Sequence, residues 1–483
     1  MPIRKKLVDS MLLLGSANLF RTFGGMIRAK VVALLLGTTG IGILALNVRL
    51  IGLLWNIGTL CIGTAIIKYV SEYLAKKDDG RVSSLLCSAF WILLASCLLN
   101  VALVLFFAKP LSSWLFKDER YWFLIATVGL GVPAYVFGRF FECILNAQKR
   151  IAALAISLNI ATVLLIGSIY PLVVLFGIEG AVINVVVTYG FGWVFYYWHY
   201  RKDPVTRTVH LFDVSSVRLS VLKTIFRFSA FDFARGVVVY ASLLLIPVII
   251  VNQLGMRDNG IYQSAWSISF YLTTLFSALM VYYLPRISEV DGEKVPAEIN
   301  ETLEVAIVAM TPLVLATVAF RDLLIPLFYE SSFAPASELL RWFMIGKLFE
   351  VVNIILLNSF VGRAKLGSML GFEALRSVVC LAATWAMVLM WAVRGAALGY
   401  MVSHALMAGC GAVYLRGKLR IAISRANIAL LWKAQLLVTI LAVLSYRAWY
   451  HYALAIAISL AGMYFLVGWE RYRAIVKLYV RRA

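Results

Sequence analysis

The sequence contains few charged residues and, in particular, few carboxylates. Only 14% of its 483 residues are charged, and 45 lysines and arginines stand against 24 aspartates and glutamates. Soluble domains contain about 25% charged residues, so this composition lies far outside the soluble range. The chain also lacks a low-complexity tail and a nucleotide-binding loop. We therefore expect neither a disordered region nor an ATP-driven step.

Cysteine and histidine are also sparse. The six cysteines show no spacing typical of disulfides or zinc sites, and the four histidines lie outside any metal motif. All six cysteines lie within apolar segments, so we interpret them as structural filler. We predict no metal, no cofactor and no catalytic residue. The cysteines are Cys61, Cys87, Cys97, Cys143, Cys380 and Cys410.

Apolar residues, by contrast, make up 62% of the chain, and the mean hydropathy is +0.88. A membrane-spanning helix needs about 20 consecutive, mainly apolar residues. The sequence contains about 14 such stretches and predicts an all-α, polytopic membrane protein. The predicted spans are 11–37, 41–66, 83–108, 121–145, 151–171, 178–199, 224–251, 259–285, 303–328, 338–361, 367–392, 395–415, 428–446 and 451–469.

The net charge of +21 would indicate nucleic-acid binding in a soluble protein. Here the lysines and arginines concentrate in alternate short loops, which sets topology by the positive-inside rule, and we predict no nucleic-acid partner. The pattern places both termini in the cytoplasm, with an uncleaved first helix and no periplasmic domain. The predicted outer segments hold only Lys109, Lys117, Arg120, Arg257, Arg394 and Arg447.

An internal repeat predicts how the chain is divided. Leu36-Gly37 recurs as Leu254-Gly255, 218 residues later, and Gly180-Ala181 recurs as Gly395-Ala396, 215 residues later. Six spans per half is an even number, so we expect two parallel six-helix bundles related by an axis along the membrane normal. The predicted domains are an N-terminal bundle (1–200), a cytoplasmic linker (201–223), a C-terminal bundle (224–417), and two extra helices with a basic cytoplasmic tail (418–483).

Several spans contain cations at mid-membrane depth. Arg21 and Arg28 share one face of the first helix, Lys30 lies nearer its outer end, Arg49 lies on the second helix, and Arg235 lies on the seventh. A cation at the bilayer centre costs about 3 kcal/mol or more and persists where it faces water, an acid or an anionic ligand. We predict that these five residues line one cavity and bind an anion.

For Arg21, Arg28 and Arg49 the alternatives are an acid on another helix or snorkelling. For Arg235 and other charged residues the alternative is pairing within one helix. Opposite charges three residues apart can meet on one helix. Asp232, Lys347 and Glu350 belong to such pairs and are also candidates for ion coupling, so both roles stay open. The four pairs are Arg139 with Glu142, Asp232 with Arg235, Lys347 with Glu350, and Glu373 with Arg376.

The chain resembles the Wzx-type polysaccharide-unit flippases of the multidrug/oligosaccharidyl-lipid/polysaccharide exporter superfamily, among them the enterobacterial common antigen and O-antigen flippases. The resemblance covers roughly residues 8–417 and is distributed. It rests on the runs from Lys30 to Gly42, Asn47 to Arg49, Lys68 to Val70, Gly260 to Gln263, Tyr283 to Ser288 and Phe320 to Asp322.

This resemblance implies export of an undecaprenyl-diphosphate-linked oligosaccharide unit from the cytoplasmic to the periplasmic leaflet of the bacterial inner membrane. It further implies alternating access between two bundles, a role in surface polysaccharide biosynthesis, and no enzymatic step. The implied partners are the lipid-linked oligosaccharide, membrane lipids, a polysaccharide polymerase and chain-length proteins. A proton or sodium is the implied coupling ion.

Three alternatives stay open: a different flippase, a multidrug transporter and a membrane enzyme. A lipid II flippase for peptidoglycan also has fourteen helices and a cationic cavity. A multidrug antiporter would favour an acidic cavity, which the excess of arginine opposes. A membrane polymerase or ligase would carry a large periplasmic loop, and sugar-nucleotide transferases often carry Asp-x-Asp; the sequence has neither.

Overall fold

The computed structural model describes residues 2–203, 206, 209–444 and 449–473, without the side chains of 2–12, 278, 281, 282 and 449. All regular structure in these residues is helical, as predicted. The α-helices are α1 (Pro2–Thr59), α2 (Gly63–Ala75), α3 (Asp79–Phe106), α4 (Ala108–Phe116), α5 (Trp122–Ala147), α6 (Ile151–Arg201), α7 (Leu219–Leu254), α8 (Met256–Glu289), α9 (Val295–Ala319), α10 (Arg321–Phe328), α11 (Ala336–Gly362), α12 (Leu366–Leu419), α13 (Arg425–Val443) and α14 (Trp449–Gly462).

Ten helices in the described residues are long and apolar enough to cross a membrane. Three of the longest, α1, α6 and α12, are each interrupted by non-helical residues at or next to the junction of two predicted spans. The interruptions lie at Gly37, at Gly177, and at Trp391 and Ala392. The chain is thus a multi-span membrane protein, and the exact count of fourteen spans stays a prediction.

The same unusual backbone conformations recur at the offsets of the sequence repeat. Gly37 and Gly255 both have positive φ, 64° and 98°. Gly177 has φ 56° and ψ −130°, and Ala392, 215 residues later, has φ 48° and ψ −137°. Since positive φ is uncommon outside glycine, this agreement supports a repeated supersecondary unit.

A second pair of recurring positions lies in the predicted inner turns. Lys149 and Ala364 both have positive φ, 59° and 52°. Each is followed by a residue whose amide closes the turn: Arg150 N donates to Leu145 O at 2.9 Å, and Lys365 N donates to Phe360 O at 2.8 Å. The repeat therefore extends to the hydrogen bonds of its turns.

The helices form two compact units, Met1–Val251 and Asn252–Ala483. In the first unit α1, α3 and α6 pack on α5, and α1 also packs on α6. In the second unit α11 is central and packs against α8, α9, α12 and α13. The predicted domain boundaries at 200, 223 and 417 stay a prediction, and residues 474–483 of the predicted tail lie outside the described residues.

The described part of the polar linker is anchored on the start of α3. Ser84 Oγ donates to Ser216 O at 2.9 Å, and the amide of Arg218 donates to Ser88 Oγ at 3.1 Å. Hydrogen bonds from Ser215 and Ser216 hold the pKa of Asp213 below its ordinary value. Here Asp213 caps a short 3-10 helix, Val214–Ser216, and so orders the connection.

Buried polar side chains connect the helices of the first unit. Asn100 Nδ2 donates to Leu54 O at 2.8 Å, and Asn184 Nδ2 donates to Ser168 Oγ at 2.9 Å. In lipid no hydrophobic force drives helices together, so small residues and such hydrogen bonds hold the bundle. Large apolar side chains such as Leu175 and Phe106 stay exposed, which suits a surface in contact with equally apolar lipid tails.

Candidate functional site

A break in the helix lies between α1 and α2, inside the predicted second span. Leu60 and Cys61 both adopt the left-handed conformation, with φ of 49° and 51°, at a cost of about 1–2 kcal/mol per residue. Leu60 N and Ile62 N donate to the carbonyls of Ile57 and Thr59 at 3.1 Å. Irregular backbone at membrane depth is tolerated where it is buried in protein or lines a water-filled cavity. The break is therefore a candidate site element.

Helix α7 approaches this break closely at Gly236. A Cβ atom at this position would lie 2.1 Å from Asn56 Nδ2 and 2.8 Å from Asn56 Oδ1, closer than side-chain atoms approach one another. Glycine thus permits the contact between α7 and α1. The contact brings Asp232 and Arg235, which precede Gly236 on α7, to the break.

Asp232 and Arg235 join a polar cluster with the residues around the break. Thr64 Oγ1 donates to Asp232 Oδ2 at 3.3 Å, and Asn56 Nδ2 donates to Cys61 Sγ at 3.1 Å. Cys61 lies within electrostatic range of both Asp232 and Arg235. We call Asn56, Cys61, Thr64, Asp232 and Arg235 the break cluster.

An ion pair on α5 borders the break cluster. Arg139 Nη1 donates to Glu142 Oε1 at 2.6 Å, and Arg139 lies within electrostatic range of Cys61. The hydroxyl of Tyr196, on α6, lies within range of Arg139, Glu142 and also Arg21. The first helix thus contributes Arg21 to the same charged neighbourhood.

The other predicted cations lie along α1. Arg28 and Lys30 precede the turn at Gly37, Arg49 follows it, and all three are half-buried and interact with neighbouring groups. Within the predicted spans of the first unit, cations therefore outnumber acids. The cations are Arg21, Arg28, Lys30, Arg49, Arg139, Arg227 and Arg235, and the acids are Glu142, Glu179 and Asp232.

Three of the four pairs with i,i+3 spacing form ion pairs. Besides Arg139 with Glu142, these are Lys347 with Glu350 and Glu373 with Arg376. Asp232 and Arg235 form no ion pair within the described residues, and the Asp232 carboxylate is instead hydrogen-bonded to Thr64. Spacing permits a pair, but the Asp232 carboxylate accepts a hydrogen bond from another helix, α2.

A second polar cluster lies in the second unit, around Lys347 and Glu350 of α11. Lys347 Nζ lies 2.5 Å from Glu350 Oε2. Tyr400 OH of α12 donates to the same oxygen at 2.8 Å, and Thr273 Oγ1 of α8 donates to it at 3.2 Å. Asn353 Nδ2 donates to His404 O at 3.0 Å, which fixes the neighbouring turn of α12. We call Lys347, Glu350, Thr273 and Tyr400 the lysine cluster.

Several residues of these clusters were not predicted from the sequence. Thr273 and Tyr400 are ordinary polar positions in apolar helices and meet Glu350 only through the fold. Asn56 and Thr64 carry the weak signal of polar residues within the second predicted span. No group of three or more histidine, cysteine, aspartate or glutamate residues in the described part of the chain is placed to hold a metal ion.

Comparison with known proteins gives a family and two relatives at low identity. A family described as "Polysaccharide biosynthesis protein" matches residues 31–338. The lipid III flippases of Escherichia coli (strain K12) and Shigella flexneri are each 22% identical over 347 residues, which is 70% of this chain and 80% of theirs.

The fold is similar to that of solved transporters. Lipid II flippase MurJ, in an inward closed conformation, matches with a TM-score of 0.73 at 14% identity, over 96% of this chain and 99% of its own. An inward-facing multidrug resistance MATE family transporter of the MOP superfamily matches with a TM-score of 0.71 at 14% identity, over 83% and 94%. Since the family match spans well over half of its residues, the chain belongs to the polysaccharide biosynthesis protein family.

Proposed function

We propose that the chain is a flippase that moves an undecaprenyl-diphosphate-linked oligosaccharide unit from the cytoplasmic to the periplasmic leaflet of the bacterial inner membrane. The observation that carries this proposal is the excess of arginines over carboxylates within the predicted spans of the first unit. A diphosphate crossing a low-dielectric core needs cations, and the guanidinium offers planar, paired donors for phosphate oxygens. The family and the lipid III flippase relatives support the same cargo class.

In this proposal the five predicted cations, Arg21, Arg28, Lys30, Arg49 and Arg235, bind the diphosphate. The glycan occupies a polar cavity while the polyprenyl chain stays in lipid, and alternating access exposes the cargo to each side. With the cytoplasm negative, outward movement of one net negative charge gains about 2.3 kcal/mol per 100 mV. The step breaks no covalent bond, so the protein acts as a transporter and not as an enzyme.

The lipid II flippase is the second candidate function, favoured by the near-complete structural overlap with MurJ. Both cargoes carry a polyprenyl diphosphate, so the arginines serve either. A multidrug antiporter for cationic drugs shares the fold, but it would favour an acidic cavity, whereas the proposed cavity of this chain is cationic. A polymerase and chain-length proteins are the proposed partners downstream.

Complementation tests the proposed function. Expression of the chain in a bacterial strain that lacks its own flippase for a surface polysaccharide should restore that polysaccharide. A parallel strain depleted of its lipid II flippase distinguishes the second candidate, since restored growth there would assign the peptidoglycan precursor. Failure in both strains, with the protein present in the membrane, would contradict both functions.

The proposed orientation places both termini in the cytoplasm. In a cysteine-free variant, single cysteines at Arg207 and Arg482 should react with a thiol reagent only after the inner membrane is permeabilised; both positions lie outside the described residues. A cysteine at Arg120, in the predicted outer segment, serves as the opposite control. Labelling of Arg207→Cys or Arg482→Cys in intact spheroplasts would contradict the orientation.

Asp232 is proposed to carry a coupling proton or to position the break cluster. Asp232→Asn keeps the contact with Thr64 and removes the charge, so we expect slower flipping and a flattened dependence on external pH. Thr64→Val is the matched control, because it removes the hydrogen bond but leaves the carboxylate. Unchanged transport and an unchanged pH profile in Asp232→Asn would remove both roles.

A further inference from the structure

The ammonium of Lys347 lies in the interior of the second unit. The side chain of Lys347 is only 2% exposed. Its Nζ donates to Glu350 Oε2 at 2.5 Å and to Thr273 Oγ1 at 3.0 Å. Burial of an unpaired ammonium is strongly unfavourable, so these hydrogen bonds compensate for the water that Nζ has lost.

The groups around Nζ resemble the ligands of a hard cation. Glu350 Oε2 is a carboxylate oxygen and Thr273 Oγ1 is a hydroxyl oxygen, the ligand types that hard metal ions prefer. Tyr400 OH donates to the same carboxylate oxygen and fixes its direction. The three residues come from α11, α8 and α12, so the position is built by tertiary structure.

The charged groups around Glu350 show which cation neutralises its carboxylate. Lys347 lies on its own helix, and His404 and Arg376 of α12 lie within electrostatic range. Arg376 is itself paired with Glu373. The α8 side contributes the neutral Thr273. The Lys347 ammonium thus balances the Glu350 carboxylate one to one.

We propose that Lys347 is a tethered cation that occupies the position of an alkali-metal ion and so makes this cluster insensitive to sodium. Removing the ammonium leaves Glu350, Thr273 and Tyr400 as an oxygen-lined, negatively charged seat that a sodium ion can fill. Lys347 then determines ion specificity: the lysine cluster of the natural chain selects against sodium as coupling ion. The consequence for ion coupling rests on the proposed function.

Thermal unfolding of the purified full chain in detergent tests the proposal. Wild type, Lys347→Ala and Lys347→Ala/Glu350→Gln are compared in about 100 mM sodium, potassium or choline chloride. Only Lys347→Ala should be stabilised specifically by sodium. If sodium binds this variant with a dissociation constant of about 1 mM, then about 100 mM sodium should shift its folding equilibrium about 100-fold toward the folded state. Lys76→Ala, which breaks the exposed Lys76–Glu72 pair, is the control and should show no sodium response.

Each outcome decides the proposal. Sodium-specific stabilisation of the wild type would overturn it, and so would a folded Lys347→Ala that ignores sodium. Failure to recover Lys347→Ala even in sodium would also count against it, because sodium should replace the ammonium. The unfolding assay needs no cargo, so its result does not depend on whether flipping is detected. If flipping is never detected, the proposed function fails, but the proposal about Lys347 and sodium does not.

Discussion

Alanine at any one of Arg21, Arg28, Arg49 or Arg235 should strongly reduce restoration of surface polysaccharide in a flippase-deficient strain. Loss of one charged hydrogen-bonding partner costs about 1.5–3 kcal/mol, or roughly 10- to 150-fold in affinity for the diphosphate. Because the four residues are proposed to bind one ligand, their effects should not be additive. The measurement is polysaccharide per cell, with protein level in the membrane determined in parallel.

Conservative and distant substitutions serve as controls for the arginines. Arg→Lys keeps the charge but loses the planar fork, so its effect should be intermediate. Arg120→Ala, at an exposed arginine in the predicted outer segment, should leave polysaccharide unchanged. Normal polysaccharide from well-expressed alanine variants at all four positions would assign the arginines a purely structural role.

Lys347→Met should destabilise the second unit by up to about 3–5 kcal/mol, because it leaves the Glu350 carboxylate, which is 19% exposed, without its cation. Lys347→Met combined with Glu350→Met should be markedly more stable than the single variant, since replacement of a whole buried pair by apolar residues is often neutral. Thermal unfolding in detergent without sodium measures both.

The exposed pair of Lys76 and Glu72 provides a matched comparison. Its Nζ to Oε1 distance is 2.6 Å, close to that of the buried pair, but the two side chains are 58% and 41% exposed. Breaking an exposed pair typically changes stability little, because water and salt screen its charges. If Lys347→Met cost no more than Lys76→Met, Lys347 would not stabilise the fold through its charge.

The helical, membrane-spanning fold follows directly from the sequence. Apolar runs of about 20 residues leave few alternatives to a spanning helix, because every backbone group must be satisfied within lipid. The glycines of the repeat, Gly37 and Gly255, were also informative, and both prove to have positive φ. Local signals of this kind need no knowledge of tertiary contacts.

The lysine cluster, in contrast, could be predicted only in part. The spacing of Lys347 and Glu350 indicated an ion pair, which the structure contains. Thr273 and Tyr400 lie 77 and 50 residues from Glu350, and no local periodicity brings them together. Contacts of this range follow from helix packing, which one sequence does not specify.

The break cluster shows the same limit in the first unit. Two successive left-handed residues, Leu60 and Cys61, have no signature in a run of apolar residues. The spacing of Asp232 and Arg235 permitted an ion pair, but the carboxylate contacts Thr64 of α2 instead. The direction of the Asp232 side chain is thus set by its partner on α2.

Flipping by the purified protein tests the central claim most directly. Proteoliposomes would contain an undecaprenyl-diphosphate-linked oligosaccharide, and a membrane-impermeant glycosidase added outside would report how fast the inner-leaflet glycan becomes accessible. We predict that wild type accelerates this exposure well above protein-free vesicles, and that a variant with alanine at Arg21, Arg28, Arg49 and Arg235 does not. Equal rates for wild type, this variant and empty vesicles would contradict the account.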